Sequence, residues 1–112
     1  MSTVYFTVGR AFELEPSPEL GVVNAGSVPL FYVRLVLLHG TTRKPLADCS
    51  TDALPGGDRG EPVWDEEKLF EKISPKIKKL SFRLEVRQCI DPSGKKNKKD
   101  PMLGVAFVND LP

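Results

Sequence analysis

The segment Leu30–His39 limits the possible folds most, because its ten residues are apolar or aromatic apart from Arg34 and the terminal His39. Side chains of a β-strand point alternately to opposite faces of a sheet. One face would therefore carry Phe31, Val33, Leu35 and Leu37, and the other Leu30, Tyr32, Arg34, Val36 and Leu38. This pattern predicts a central strand.

Further strands are predicted from β-branched, aromatic and apolar residues that lie between turn signals, and at residues 3–12 and 80–86 these alternate with polar ones. They cover residues 3–12, 46–51, 62–73, 80–86 and 102–108, although residues 62–73 fit neither the strand nor the helix period cleanly. Proline and glycine at residues 15–19, 40–45 and 54–60 predict turns or loops. No segment is a helix long enough to connect parallel strands, so we predict an all-β fold, an antiparallel β-sandwich of about seven or eight strands.

The size and composition of the chain predict one ordinary soluble domain that spans residues 1–112. The hydrophobic fraction is 40% and the charged fraction 28%, and no apolar run is long enough to cross a bilayer. No secretory signal is evident at the N-terminus, so we expect a cytoplasmic protein with Cys49 and Cys89 as reduced thiols. Because the last residues follow directly on a strand, the chain is expected to be a fragment of a longer protein.

Charge is distributed unevenly along the chain. Residues 72–99 hold ten basic and two acidic residues, a net charge of +8, whereas residues 61–71 hold five acidic and one basic, a net charge of −4. The basic stretch is able to attract phosphate groups or an acidic protein surface, and a solvated, mobile loop is the alternative interpretation. The candidate binding residues are Lys76, Lys78, Lys79, Arg83, Arg87, Lys95, Lys96, Lys98 and Lys99.

The strand at residues 31–38 is followed by Lys44-Pro45-Leu46, then by Glu61-Pro62-Val63-Trp64-Asp65-Glu66, and later by Leu103-Gly104. This order of motifs along the chain resembles that of a C2 domain. The form of these motifs is most similar to the C2 domains of phosphatidylinositol 3-kinases. The resemblance implies a C2-like Greek key and places Trp64 at a strand start. A lone tryptophan there is more often a core residue than a recognition residue.

Calcium is not an expected ligand, in contrast to the calcium-dependent C2 domains. Calcium needs six to eight oxygen ligands, yet residues 15–28 contain no aspartate, and four lysines lie between Asp91 and Asp100. No nucleophile elbow, phosphate-binding loop or metal-ligand spacing is present, so we expect no cofactor and no catalysis. Nucleic acid is not expected as a partner either, because no aromatic residues are interleaved with the basic ones.

Two functional hypotheses remain. The first is a calcium-independent C2-like module that docks a protein partner within a larger scaffold or signalling protein. The alternative is a peripheral membrane module that binds anionic phospholipids or phosphoinositides through the loop at residues 95–99 and the strand face at residues 76–87. Ionic strength separates the two, because attraction by lysines weakens with salt and an apolar docking interface does not.

Overall fold

The computed structural model describes residues 2–11, 29–40, 42–56, 61–73, 79–91 and 93–108, which form seven β-strands and no helix. Every pair of neighbouring strands is antiparallel, which confirms the predicted all-β antiparallel fold. The strands are β1 (Ser2–Arg10), β2 (Leu30–His39), β3 (Pro45–Ser50), β4 (Leu54–Pro55), β5 (Val63–Ile73), β6 (Leu80–Cys89) and β7 (Met102–Val108).

The larger sheet has the order β3-β2-β6-β7, and the short strand β4 pairs with the start of β2. The prediction that residues 54–60 are entirely loop is therefore wrong at Leu54–Pro55. Between β3 and β4 the chain stays attached to β2 through Thr51. The Thr51 backbone N–H donates to the Val33 carbonyl at 2.9 Å, and its hydroxyl accepts from the Val33 N–H at 2.9 Å. The threonine side chain thus replaces a backbone group of the ladder.

The smaller sheet contains β1 and β5, and β5 is bulged next to its tryptophan. Asp65 has a left-handed φ of 46°, where the register between the two strands shifts. Trp64 is only 6% exposed, and its indole N–H donates to the carbonyls of Phe31 and Asp52 at 3.2 and 3.0 Å. Since Phe31 belongs to β2, this side chain joins the two sheets, and the prediction that Trp64 is a core residue is confirmed.

The core lies between the two sheets and uses one face of β2, as the alternation in Leu30–His39 predicts. Phe82 on β6 is fully buried at the centre, with the Phe6 and Phe70 ring centroids 4.9 and 5.5 Å away. Contacts at this separation stabilise aromatic pairs beyond their buried area. The buried residues of the cluster are Val8, Phe31, Val33, Leu35, Leu37, Trp64, Phe70, Ile73 and Phe82.

The turn between β2 and β3 extends back over the other face of the large sheet, which we call the outer face. His39 and Lys44 close the turn through a backbone hydrogen bond of 2.9 Å, and Arg43 has a left-handed φ of 61°. The Arg43 guanidinium carbon lies 5.6 Å from the centre of the Phe107 ring on β7. Because β6 separates β2 from β7, the Arg43 side chain crosses the sheet to make this cation–π contact.

Candidate functional site: a basic surface beside an apolar edge strand

Three arginines surround one carboxylate at the middle of the outer face. The pairing of β2 with β6 sets Arg34 opposite Glu85, and Arg83 and Arg87 lie two residues to either side of Glu85 on the same face. Nitrogen atoms of the three guanidinium groups lie 2.8 to 3.2 Å from the Glu85 carboxylate oxygens. Arg34 also reaches Asp48 on β3 at 3.2 Å. We call Arg34, Arg83, Arg87 and Glu85 the arginine cluster.

Glu85 is ionised within this cluster although it is only 3% exposed. Burial on its own would raise the pKa of its carboxyl, but the hydrogen bonds and charges of Arg87 and Arg34 outweigh burial and lower it below the ordinary value. Burial opposes the charge of Arg34 in the same way, and the carboxylates of Glu85 and Asp48 nevertheless raise its pKa. One buried carboxylate therefore fixes three cations in position and leaves them with excess positive charge.

The lysine-rich connection between β6 and β7 is held in shape by a buried aspartate. Asp100 is 3% exposed, and its carboxylate accepts hydrogen bonds from the backbone N–H groups of Ile90 and Asn97, both at 2.9 Å. It also accepts from the Tyr32 hydroxyl of β2 at 2.5 Å. Burial, and then this hydrogen bond, raise the pKa of Tyr32 well above its ordinary value. These hydrogen bonds tie the loop backbone to β2 and to the end of β6, while residues 95–99 of the loop remain exposed to solvent.

Further contacts organise the first half of the same loop, up to Lys96. The Asp91 carboxylate accepts from the backbone and hydroxyl of Ser93 at 2.8 and 2.7 Å, which lowers its pKa. The Cys89 thiol, whose pKa is raised by burial, lies 3.2 Å from the Lys95 carbonyl. Lys96 places its ammonium group 5.7 Å from the centre of the Tyr32 ring. The loop therefore presents its lysines from a defined backbone.

A pocket of about 440 Å³ opens between this loop and strands β2 and β3. It is lined by Tyr32, Arg34, Asp48, Ser50, Arg87, Lys96, Asn97 and Lys98. Four lining cations, reduced by the carboxylates of Asp48 and of Glu85 beside them, give a net charge of +2. Guanidinium and ammonium groups around a concave surface are suited to phosphate or carboxylate ligands. We call this the basic pocket.

The structure brings together only part of the predicted basic surface. Arg87, Lys96 and Lys98 line the basic pocket, and Arg83 belongs to the arginine cluster. Lys95 and Lys99 are exposed on the same loop without lining the pocket. Lys79 precedes β6 at its other end, about 26 Å from Arg87 at a rise of about 3.3 Å per residue. The predicted site residues Lys76 and Lys78 lie outside the described residues.

Sequence reasoning missed Arg34 and Tyr32 as site residues because both belong to the most apolar strand. A signal was present in the alternation, which assigns Arg34 to the face opposite the core. Arg83, Glu85 and Arg87 also share one face of their strand. The alternation does not predict the register that places Arg34 opposite Glu85, because this register depends on pairing between strands that are distant in sequence.

The edge strand β7 borders the arginine cluster with exposed apolar side chains. Register sets Met102, Val105 and Phe107 opposite Arg87, Glu85 and Arg83. These three side chains are 51, 48 and 51% exposed. We call Met102, Val105 and Phe107 the apolar stripe. Large apolar groups grouped on a surface and rimmed by charge are typical of interaction sites.

Within the described part of the chain, no three His, Cys, Asp or Glu side chains gather as metal ligands, and Cys49 and Cys89 are free thiols. The same residues include no helix that is long and apolar enough to span a bilayer. No protein-family model matches the chain, and no curated protein matches it either.

Proposed function

We propose that the chain is a non-catalytic, calcium-independent C2-like module that docks a protein partner. The observation that carries the proposal is the apolar stripe on β7, which lies beside three arginines. Apolar area removed from water contributes about 25 cal/mol per Å², so an exposed stripe of this kind favours association. Arginine next to apolar side chains is also the composition that protein interfaces favour.

Site-directed photo-crosslinking tests this proposal. A photoreactive amino acid replaces Phe107 on the stripe and, as the matched control, Val63, which is 49% exposed on β5 of the other sheet. In cells, we expect a discrete protein adduct from position 107 and none from position 63. The captured protein, once purified, should bind the unmodified domain and lose binding to a Val105→Glu variant. The same adducts from both positions, or none from either, would contradict docking at this surface.

The second candidate function is binding to anionic phospholipids or phosphoinositides at a membrane surface. The basic pocket favours it, because Lys96 and Lys98 extend its positive charge onto an ordered loop. Each lysine near an anionic membrane contributes about 1 kcal/mol to binding, and this contribution decays over about one Debye length from the surface. Membrane binding would therefore rest on the lysine loop rather than on the stripe.

Sedimentation with liposomes tests the second candidate. Neutral vesicles are compared with phosphoinositide-containing ones, at two salt concentrations and with and without calcium. Membrane targeting is supported if binding to the anionic vesicles is salt-sensitive and is lost in a fourfold serine variant. That variant changes Lys95, Lys96, Lys98 and Lys99 together. Binding that survives those four changes would reject the loop as the site, and calcium-dependent binding would contradict calcium independence.

A further inference from the structure

In the described part of the chain, the stretch Gly104–Val108 of β7 has none of the features that usually prevent another strand from pairing with an exposed edge. Among the described residues, β7 pairs with β6 alone. Its seven residues, Met102–Val108, include no charge and no proline. The pairing with β6 is regular from Gly104 to Val108, so that stretch is not bulged. Natural edge strands usually carry lysine, proline or a bulge, because an open row of N–H and C=O groups templates another strand.

Positive charge lies at both ends of this open edge. Arg43 lies over Phe107 at the C-terminal end of the strand, and the loop that carries Lys98 and Lys99 leads into the N-terminal end. Glu85, opposite Val105 on β6, is already bound by three arginines. A strand placed beside β7 would therefore meet apolar side chains at its centre and cations near both of its ends.

We propose that β7 accepts an extended, acidic segment of a partner protein as an additional strand of the large sheet. This proposal rests on the docking function proposed above and names the chemistry of the partner. The segment's backbone would pair with the edge of Gly104–Val108. Apolar side chains at its centre would pack beside Val105, and carboxylates towards its ends would reach Arg43 and the lysine loop.

A second copy of the chain fits the same edge less well. Antiparallel pairing of two β7 strands about a two-fold axis sets the C-terminal end of one beside the N-terminal end of the other. The Arg43 guanidinium of one copy would then approach the lysine loop of its partner, and like charges at such an interface are unfavourable. Charge complementarity therefore favours an acidic segment over self-association.

Binding of synthetic peptides, measured by fluorescence anisotropy on the intact chain, tests the proposal. The probe is a labelled peptide with valine at its central positions and glutamate towards both of its ends. The comparison peptides carry lysine for glutamate, or the same side chains with N-methylated backbone amides along both edges. We expect both comparison peptides to bind at least about tenfold more weakly, because one loses charge complementarity and the other loses the strand hydrogen bonds.

Variants of the domain locate the binding edge. Val105→Glu should weaken binding of the valine–glutamate peptide at least about tenfold, and Arg43→Ala should weaken it about threefold. Val63→Glu, on the other sheet, should leave the affinity for the peptide unchanged. Hydrogen exchange of the β7 amides should slow when the peptide is bound. Three outcomes would overturn strand addition by an acidic partner. The N-methylated peptide could bind as tightly as the probe, or Val63→Glu could weaken probe binding as much as Val105→Glu does. The chain could also form a concentration-dependent dimer that Val105→Glu abolishes. If the peptides do not bind but position 107 still forms a discrete crosslinked adduct, strand addition is wrong and the docking proposal stands. If neither peptide binding nor the adduct is observed, the docking proposal is wrong as well.

Discussion

Replacing Glu85 with glutamine tests whether one carboxylate holds the outer face together. Glutamine keeps the shape of the side chain and removes its charge. In the arginine cluster the Glu85 carboxylate accepts from Arg34, Arg83 and Arg87 at 2.8 to 3.2 Å, while being 3% exposed. The substitution leaves three guanidinium groups close together with no carboxylate between them.

The expected loss of stability depends on two facts: the Glu85 carboxylate is buried, whereas the arginines that pair with it are partly exposed. Removing one partner of a fully buried ion pair costs about 3 to 5 kcal/mol. Here the side chains of Arg34 and Arg83 are both 32% exposed and that of Arg87 is 14% exposed, so water solvates part of the charge that remains. We therefore expect Glu85→Gln to lower the free energy of unfolding by about 2 to 3 kcal/mol at neutral pH.

The pH dependence has a defined sign. Because the folded-state pKa of Glu85 lies below its ordinary value, its contribution to stability is complete above that ordinary value. The contribution is lost as the pH falls through the lowered, folded-state pKa. The difference in unfolding free energy between the wild-type chain and Glu85→Gln should therefore shrink in acid.

Urea denaturation followed by far-ultraviolet circular dichroism, at neutral pH and at several acidic values, measures both effects. Glu66→Gln is the matched control, because Glu66 is 20% exposed and, among the described residues, pairs with one cation, Lys68, at 3.2 Å. A glutamine oxygen can still accept the 2.9 Å hydrogen bond that Glu66 receives from the Asp52 N–H. The cost of Glu66→Gln should stay below about 1 kcal/mol. Equal stability of the Glu85→Gln and wild-type chains, or a difference that does not shrink in acid, would refute the assignment of Glu85 as the central charge of the cluster.

Three further stability predictions follow from individual contacts, each measured by urea denaturation. Trp64→Ala should cost about 3 to 5 kcal/mol, since a large buried aromatic is removed and two carbonyls lose its indole donor; an unchanged midpoint would contradict its place in the core. Gly40→Ala should lower the free energy of unfolding by about 1 to 3 kcal/mol, because its new Cβ would lie 2.8 Å from the Lys79 carbonyl carbon. The control Gly9→Ala, whose Cβ would meet nothing within 4 Å, should be neutral or slightly stabilising. Ser81→Ala should be neutral or stabilise by up to about 1 kcal/mol, because among the described residues its buried hydroxyl has no partner, and a clear loss would reveal one.

Local alternation was sufficient to predict most strands of this fold. Leu30–His39 and Met102–Val108 have the predicted bounds, because each is a nearly continuous apolar run between clear turn signals. The segment at Val63–Ile73 fitted no clean period because its register with β1 shifts at two points, one of them beside Asp65. A bulge adds a residue to one strand and so breaks the period of two. The strand β4 was missed because Pro55 and the glycines after it read as a loop.

The candidate site was less predictable, because its geometry depends on contacts between distant segments. Net charge identified the lysine loop but gave no reason for it to be ordered. The order comes from Asp100, whose carboxylate binds Tyr32, 68 positions away in sequence. Burial of Glu85 was likewise invisible, because a glutamate in an alternating strand is normally solvated. The strand pattern gives the face on which a charge lies, and only the paired sheet shows which other charges it meets.

The two proposed ligands would contact opposite sides of the arginine cluster. The basic pocket lies towards β2 and β3, whereas the apolar stripe lies on β7, with Glu85 on β6 between them. Neutralising Glu85 would raise the net charge beside the pocket from +2 to +3 and leave the pairing groups of β7 unchanged. A chain that loses about 2 to 3 kcal/mol of a typical 5 to 15 remains folded. In Glu85→Gln, binding to anionic vesicles should therefore strengthen more than binding of an acidic peptide does, because the vesicle headgroups reach the pocket and the peptide follows the edge.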